Sequence, residues 1–322
     1  MTRITNDLAL VIHRLRMGDI AAIPTETVYG LAADACSESA IRQVFSTKKR
    51  PADHPLIMHV SPEWDLTQWV SHIPDYAYAL MASFWPGPLT LILPMKSGVI
   101  HPLITGGQSS IAIRAPKHPV AEQLLLEFGH PLVAPSANPY GKISPTTAAH
   151  VQDSFPTDDF LILDGGRCRV GVESTIVSAL ADAHYQIVRP GIITEGQIAT
   201  IASCQALSGA SMVRAPGGVV THYQPEKTVF YCDDLETAMH VLVKKNLIPY
   251  VFTFLSTPRV LDASHYQFPE NSDEAAYELY YRLRIADQSE ADCILIELPV
   301  QAPAWFVIRE RILKAGRPIY NG

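Results

Sequence analysis

DLALVIHRLRMGDIAAIPTETVYG, residues 7–30, decides the fold class. Leu8, Val11, Ile12 and Leu15 recur at helical spacing behind Thr5-Asn6-Asp7, and Gly18 stands where a helix-ending glycine belongs. The run at 20–23 is apolar throughout and too short for a helix, which predicts a strand buried on both faces and stopped by Pro24. The same alternation continues. Ser37 is placed to cap a helix carrying Ile41, Val44 and Phe45 on one face, the helix ends in Lys48-Lys49-Arg50-Pro51, and a second apolar run follows at 56–60. Strands are predicted near 89–93, 111–113, 132–134, 160–163, 175–177 and 186–188, with helices near 76–84, 120–128 and 146–151 between them. Strands mixed with helices predict one α/β domain over 1–207.

SGASMVRAPGGVVTHYQPE (208–226) is rich in Gly, Ser and Pro and has no apolar periodicity, so an extended linker is predicted over 208–227. Beyond it, strands near 228–231, 250–254 and 293–298 alternate with helices near 235–245, 275–286 and 304–314. That pattern predicts a smaller Rossmann-like α/β domain over 228–322. It has no G-x-G-x-x-G, so it reads as a covering or docking domain and not as a dinucleotide binder.

Composition narrows the function. The 322 residues are 48% hydrophobic and 18% charged, which excludes a disordered chain. With 25 Lys and Arg against 32 Asp and Glu, the formal net charge is −7, so any polyanion site has to be a concentrated pocket and not a broad basic face. Cys36, Cys168, Cys204, Cys232 and Cys293 are widely spaced, without C-x-x-C pairs. Neither a disulfide framework nor a structural zinc is expected, and reduced thiols in the cytoplasm are. Charges within the first helix and the lack of a long apolar run argue against secretion and against a membrane span.

The sequence contains no P-loop, kinase H-R-D, H-E-x-x-H or G-x-S-x-G. It does place hydroxyl, amide and cationic residues where short strands end, where ligands of open α/β sheets collect. These are Thr25 and Thr27, Lys48 and Arg50, Arg114, Ser136 and Asn138, Ser144, Ser174, and Arg189. A basic triplet at a helix end ordinarily complements the helix dipole, and an isolated strand-end arginine ordinarily meets solvent. Recurrence of such residues beside Ala-Pro and Pro-Gly turns reads better as a set of ligand grips.

PTETVYGL (24–31), K-x-R-P with PLIMHV (48–60), WPGPLTLIL (85–93), IAIRAP (111–116), APSAN (134–138), ESTIV (173–177), RPG (189–191) and APG with HYQP in 215–225 together resemble the Sua5/YrdC family, in its long two-domain Sua5 form. The resemblance implies a twisted, mixed YrdC-like sheet with a concave, positively lined cavity. It implies a nucleotidyltransferase that condenses L-threonine, bicarbonate or CO2, and ATP to L-threonylcarbamoyladenylate and pyrophosphate, with Mg2+ accompanying ATP and few direct protein ligands for the metal. The product would pass to threonylcarbamoyl transferase machinery for modification at position 37 of tRNA.

By the same resemblance, Lys48 and Arg50 face the triphosphate and carry the catalytic charge, with Ala52 at the ATP rim. Ser110, Ser136, Asn138, Ser144 and Arg189 line the ATP side. Thr25, His59, Arg114, the Ala134 backbone and Ser174 hold threonine. Tyr223, with His222 beside it, closes over the nucleotide from a mobile linker. Lys48 and Arg50 are expected outside the core. The linker departs from the family pattern at Pro216-Gly217-Gly218-Val219-Val220-Thr221. A non-catalytic RNA-binding or translation-accessory module on the same fold is the alternative, disfavoured by the net charge. A carbamoyl-transfer domain of the hydrogenase-maturation type is disfavoured by the missing companion segments.

Overall fold

The protein was analysed as a computed structural model that describes residues 1–209, 213–216, 223–254 and 264–320. It divides into two compact units, Met1–Tyr140 with Ser144–Gly218, and Gly141–Ile143 with Val219–Gly322. Residues 213–216 of the predicted linker therefore belong to the first unit.

In the first unit the strands are β1 (Arg3–Thr5), β2 (Ala21–Ile23), β3 (Gly30–Asp34), β4 (Ile57–His59), β5 (Leu89–Pro94) and β6 (Ser110–Arg114). They are followed by β7 (Leu132–Val133), β8 (Leu161–Leu163), β9 (Thr175–Ser178), β10 (His184–Arg189) and β11 (Gln205–Ala206). Among the described residues these form one eleven-stranded sheet in the order β1-β8-β2-β3-β7-β4-β6-β5-β9-β10-β11. It is mixed: β4 and β6 run parallel, as do β5 and β9, while β5 and β6 run antiparallel.

Local signals explain the helices that bear on the site. Asp7 caps the helix Leu8–Arg16 by accepting from Leu10 N, and Gly18 takes the left-handed turn at φ +86. Ser37 accepts from Ala40 N to start Glu38–Lys48, which ends on Lys49 in the left-handed region.

Alternation sets the two faces of the central strands. Ile111, Ile113, Met58, Leu91, Leu93 and Val177 point into the main core. Ile57, Ile92, Ala112 and Ile176 point the other way and form a small apolar band, against which Val213 and Ala215 pack.

In the second unit β12 (Val229–Cys232), β13 (Pro249–Thr253), β14 (His265–Gln267), β15 (Cys293–Glu297) and β16 (Arg317–Pro318) make an all-parallel sheet in the order β14-β13-β15-β12-β16. The parallel α/β expectation holds, but β15 sits between β12 and β13. This order differs from the dinucleotide-binding one, in which the first two strands are neighbours.

Candidate active site on one face of the mixed sheet

Ser110, Ala112 and Arg114 share one face of β6, and Ile57 and His59 share the same face of β4 in register with Ala112 and Arg114. The face is polar at both ends and apolar in the middle. At ~3.3 Å per residue its ends are about 13 Å apart.

At one end, Arg114 is 4% exposed. Its Nε donates to Gly87 O at 3.3 Å and its Nη1 to Thr27 Oγ1 at 2.8 Å, and its Nη2 lies 2.7 Å from Glu26 Oε1. The Thr25–Val28 turn that reaches it is internally bonded. Thr25 Oγ1 donates to Val28 O at 2.6 Å, so the 2.9 Å contact between the two threonine hydroxyls requires Thr27 Oγ1 to donate to Thr25 Oγ1. A one-way chain results, from guanidinium through two hydroxyls to a carbonyl, and each link polarises the next.

His59 is buried beside it, with Nδ1 3.3 Å from Ile57 O. Burial, with the Arg114 charge nearby, pulls its imidazole down to about 3, so the ring is neutral at physiological pH. A neutral ring whose Nδ1–H faces a carbonyl presents Nε2 as an acceptor. Ala134 N donates to Ile57 O, so its amide is engaged in the sheet.

At the other end the cations are gathered by a helix terminus and a loop. The left-handed turn at Lys49 turns that residue outward and brings Lys48 and Arg50 inward, with Arg50 N donating to Phe45 O at 2.9 Å. Lys48 Nζ donates to Ser136 O at 2.5 Å and to Asn138 O, and Tyr140 N donates back to Lys48 O. Lys48 is 1% exposed, so the expectation that it lies outside the core is corrected: its ammonium shapes the Ser136–Tyr140 loop from within. Burial, with Arg50 adding, holds it well below the ordinary lysine value.

Arg50 is also buried. Its Nη2 donates to Pro55 O at 2.9 Å, and its guanidinium lies 5.7 Å from the centre of the Tyr140 ring. Burial pulls it down to about 10, with Tyr140 opposing and Arg189 adding. Ser110 opens β6 at this end and is buried, while Ala52 is exposed on the turn after Pro51.

Ser174 sits beside Thr90 of β5, hydroxyl to hydroxyl at 2.8 Å. Arg189 Nη2 donates to Ser174 Oγ at 3.0 Å and to Ser174 O at 2.9 Å, and Nη1 reaches Pro216 O at 3.2 Å. The Pro190-Gly191 turn packs so closely here that a Cβ on Gly191 would meet Thr175 N at 2.4 Å. Ser144 donates to Glu173 Oε1 at 2.6 Å.

Most of the predicted residues thus fall into three groups: Thr25, His59, Arg114 and Ala134; Lys48 with Ser136 and Asn138, and Arg50; and Ser174 with Arg189. Ser144 pairs with Glu173, Ser110 is buried at the start of β6, and Ala52 is exposed. Tyr223, expected to close over the nucleotide, belongs to the second unit, is 1% exposed, stacks on Tyr280 at 5.6 Å and lies under the Arg311 guanidinium at 4.8 Å. His222, Gly217 and Gly218 lie outside the described residues. Residues 213–216, expected in a free linker, are pinned in the first unit: Arg214 pairs with Asp53 at 3.3 Å and donates to Gly106 O at 2.6 Å. Sequence reasoning missed Glu26, Thr90 and Glu173. All three stand inside quoted motifs, and for the two acids a position flanked by hydroxyls or preceding a buried serine was the available signal.

Four buried cations, Lys48, Arg50, Arg114 and Arg189, share this unit with two buried glutamates, Glu26 and Glu173, an imbalance suited to an anionic ligand. Among the described residues no cluster of three or more His, Cys, Asp or Glu could hold a metal, and no helix is long and apolar enough to cross a membrane.

Comparison with known proteins accounts for nearly the whole chain. The family model described as "Telomere recombination" matches residues 13–191, and the one described as "Threonylcarbamoyl-AMP synthase, C-terminal domain" matches 193–316. Threonylcarbamoyl-AMP synthase of Bacillus subtilis is 36% identical over 325 residues, covering 97% of this chain and 94% of its own length. The Pyrococcus abyssi protein of that name is 36% identical over 316 residues, covering 94% of this chain and 91% of its own. The structure of P. abyssi Sua5 complexed with L-threonine superposes with a TM-score of 0.85 at 30% identity over 98% of both chains. Both halves of the sequence are matched in the order those relatives carry them, so the chain belongs to the Sua5/YrdC family, in its long two-domain Sua5 form.

Proposed function

We propose that this chain is an L-threonylcarbamoyladenylate synthase, a nucleotidyltransferase that joins L-threonine, bicarbonate or CO2, and ATP and releases pyrophosphate. The observation that carries the reading is a strand face about 13 Å long, with the buried Arg114 at one end and an apolar band in the middle, while the buried Arg50 bonds Pro55 O, two residues before β4, towards the other end. One end suits the carboxylate of an amino acid, through the planar fork of Arg114. The other suits a triphosphate, through Arg50 with Arg189 nearby. Full-length relatives that bear the synthase name, and a threonine-bound relative of the same fold, support it.

In the proposed reaction the threonine amine attacks CO2, or bicarbonate with loss of water, and gives up a proton to leave an N-carboxylate. That group attacks the α-phosphorus of ATP, and pyrophosphate leaves. No protein nucleophile is needed; the chain's residues hold two anions in line and stabilise charge as it develops on phosphorus. Mg2+ enters as part of the nucleotide substrate, on phosphate oxygens, where it would neutralise charge. The product would feed tRNA modification in the cytoplasm, in keeping with the free cysteines. A role limited to RNA binding would call for an extended cationic surface, whereas the site's cations are buried in a chain of net charge −7. Pyrophosphate release measured with each substrate omitted in turn tests the proposal. Release should need threonine, bicarbonate and ATP together, and release independent of threonine would overturn it.

A further inference from the structure

Arg114 does not stand open in its pocket. Two of the five N–H groups of its guanidinium donate to Gly87 O and Thr27 Oγ1, and Nη2 lies 2.7 Å from Glu26 Oε1. Glu26 is the unusual member of this set. It is 5% exposed, and its contact with Arg114 Nη2 is an ion pair outside good hydrogen-bond geometry. Its Oε2 accepts no hydrogen bond from any described residue. The other buried glutamate nearby, Glu173, differs in receiving the Ser144 hydroxyl at 2.6 Å. A buried carboxylate oxygen without a donor is costly unless a ligand supplies one.

Its position identifies that donor. Glu26 is next to the guanidinium that suits a carboxylate, and an α-amino acid carries an ammonium on the carbon adjacent to its carboxylate. Arg114 and Glu26 together present one positive and one negative group side by side, as a zwitterion does.

We infer that Glu26 binds the α-ammonium of the amino-acid substrate and accepts its proton. The inference rests on the function proposed above. The step is balanced without a further reactant: one N–H bond of the ammonium breaks, one O–H bond forms on Glu26, and the nitrogen keeps the electron pair. That pair is what the amine needs to attack CO2. Arg114, His118 and Cys168 lie close enough to interact electrostatically with the carboxylate, and none of them donates to Oε2.

The test compares L-threonine with (R)-3-hydroxybutanoate, which lacks only the amine, by calorimetry on the full chain with ATP present. The wild type should prefer threonine by about tenfold or more, the worth of a charge-assisted contact. Glu26→Gln should bind the des-amino acid as the wild type does and lose the preference, and Glu26→Asp should recover part of it. If Glu26→Gln does not fold, the wild-type preference and the Glu26→Asp variant carry the test alone. Equal wild-type affinity for the two acids would overturn the inference. So would a Glu26→Gln variant that weakens both acids alike, since Glu26 would then only brace Arg114. A wild type that makes the adenylate yet ignores the amine sinks this inference alone, whereas one that neither binds threonine nor releases pyrophosphate sinks the proposed function and this inference with it.

Discussion

At the Arg114 end of the sheet face a guanidinium meets a carboxylate 2.7 Å away, whereas at the Arg50 end two cations are met by backbone carbonyls and a tyrosine ring. Both ends are buried, so neither arrangement is a solvated surface pair. The contrast fits the two ligands proposed for the face. A site already holding both signs suits a molecule that carries both, while buried cations met mainly by dipoles, with Asp53 acting on Arg50 but paired with Arg214, keep an unmet demand for negative charge, which a polyanion can satisfy.

Lys48 is where that comparison breaks first. Lys48→Met should lower unfolding stability by about 2–4 kcal/mol, because the Ser136 and Asn138 carbonyls lose their buried donor. Urea unfolding measures this, and unchanged stability would mean that the ammonium is free for phosphate after all. The next effect is a crossover between ligands. Arg50→Gln should weaken ATP by about 1.5–3 kcal/mol and leave threonine affinity unchanged, while Arg114→Lys, which loses the planar fork, should do the reverse. Isotherms for each ligand with each variant decide it, and matching losses for both ligands would merge the two ends into one site.

The smallest effect sharpens the Arg114 end. His59 has a folded value of about 3 against an ordinary 6.5, so between those values the unfolded chain binds the extra proton and stability falls as pH falls. From pH 6.5 to 5 this one group should cost up to about 2 kcal/mol. His59→Gln should flatten that part of the stability profile, and an identical slope in the variant would mean that the ring is protonated in the fold.

Much of this was legible from local pattern. The Asp7-to-Gly18 helix and the alternating SIAIR strand are written in their own residues, and every polar strand end flagged in the sequence up to Arg189 lies in or beside the buried network. What was illegible depends on distant partners. β1 is a short polar strand that exists because Leu161–Leu163 supplies its ladder, and β3, GLAAD, has weak strand propensity overridden by its two neighbours. The Lys48-Lys49-Arg50 triplet gives no hint that its middle residue faces out and its flanks face in, because one left-handed dihedral decides that. Glu26 was passed over for a similar reason: a single acid between two threonines has no periodicity, and its partner is 88 residues away.

The strict alternation of β6 also constrains how this protein can change over evolutionary time. Ser110, Ala112 and Arg114 lie on the face proposed for the ligands, while Ile111 and Ile113 serve the core. Deleting or inserting one residue between Ser110 and Arg114 would barely alter composition or length, yet it would drive a guanidinium toward the isoleucine layer and turn isoleucines toward the substrates. Lineages can therefore explore this strand one substitution at a time, but a change in its length would disrupt folding and chemistry in a single event. Gaps in a future alignment should avoid it even where neighbouring loops vary freely.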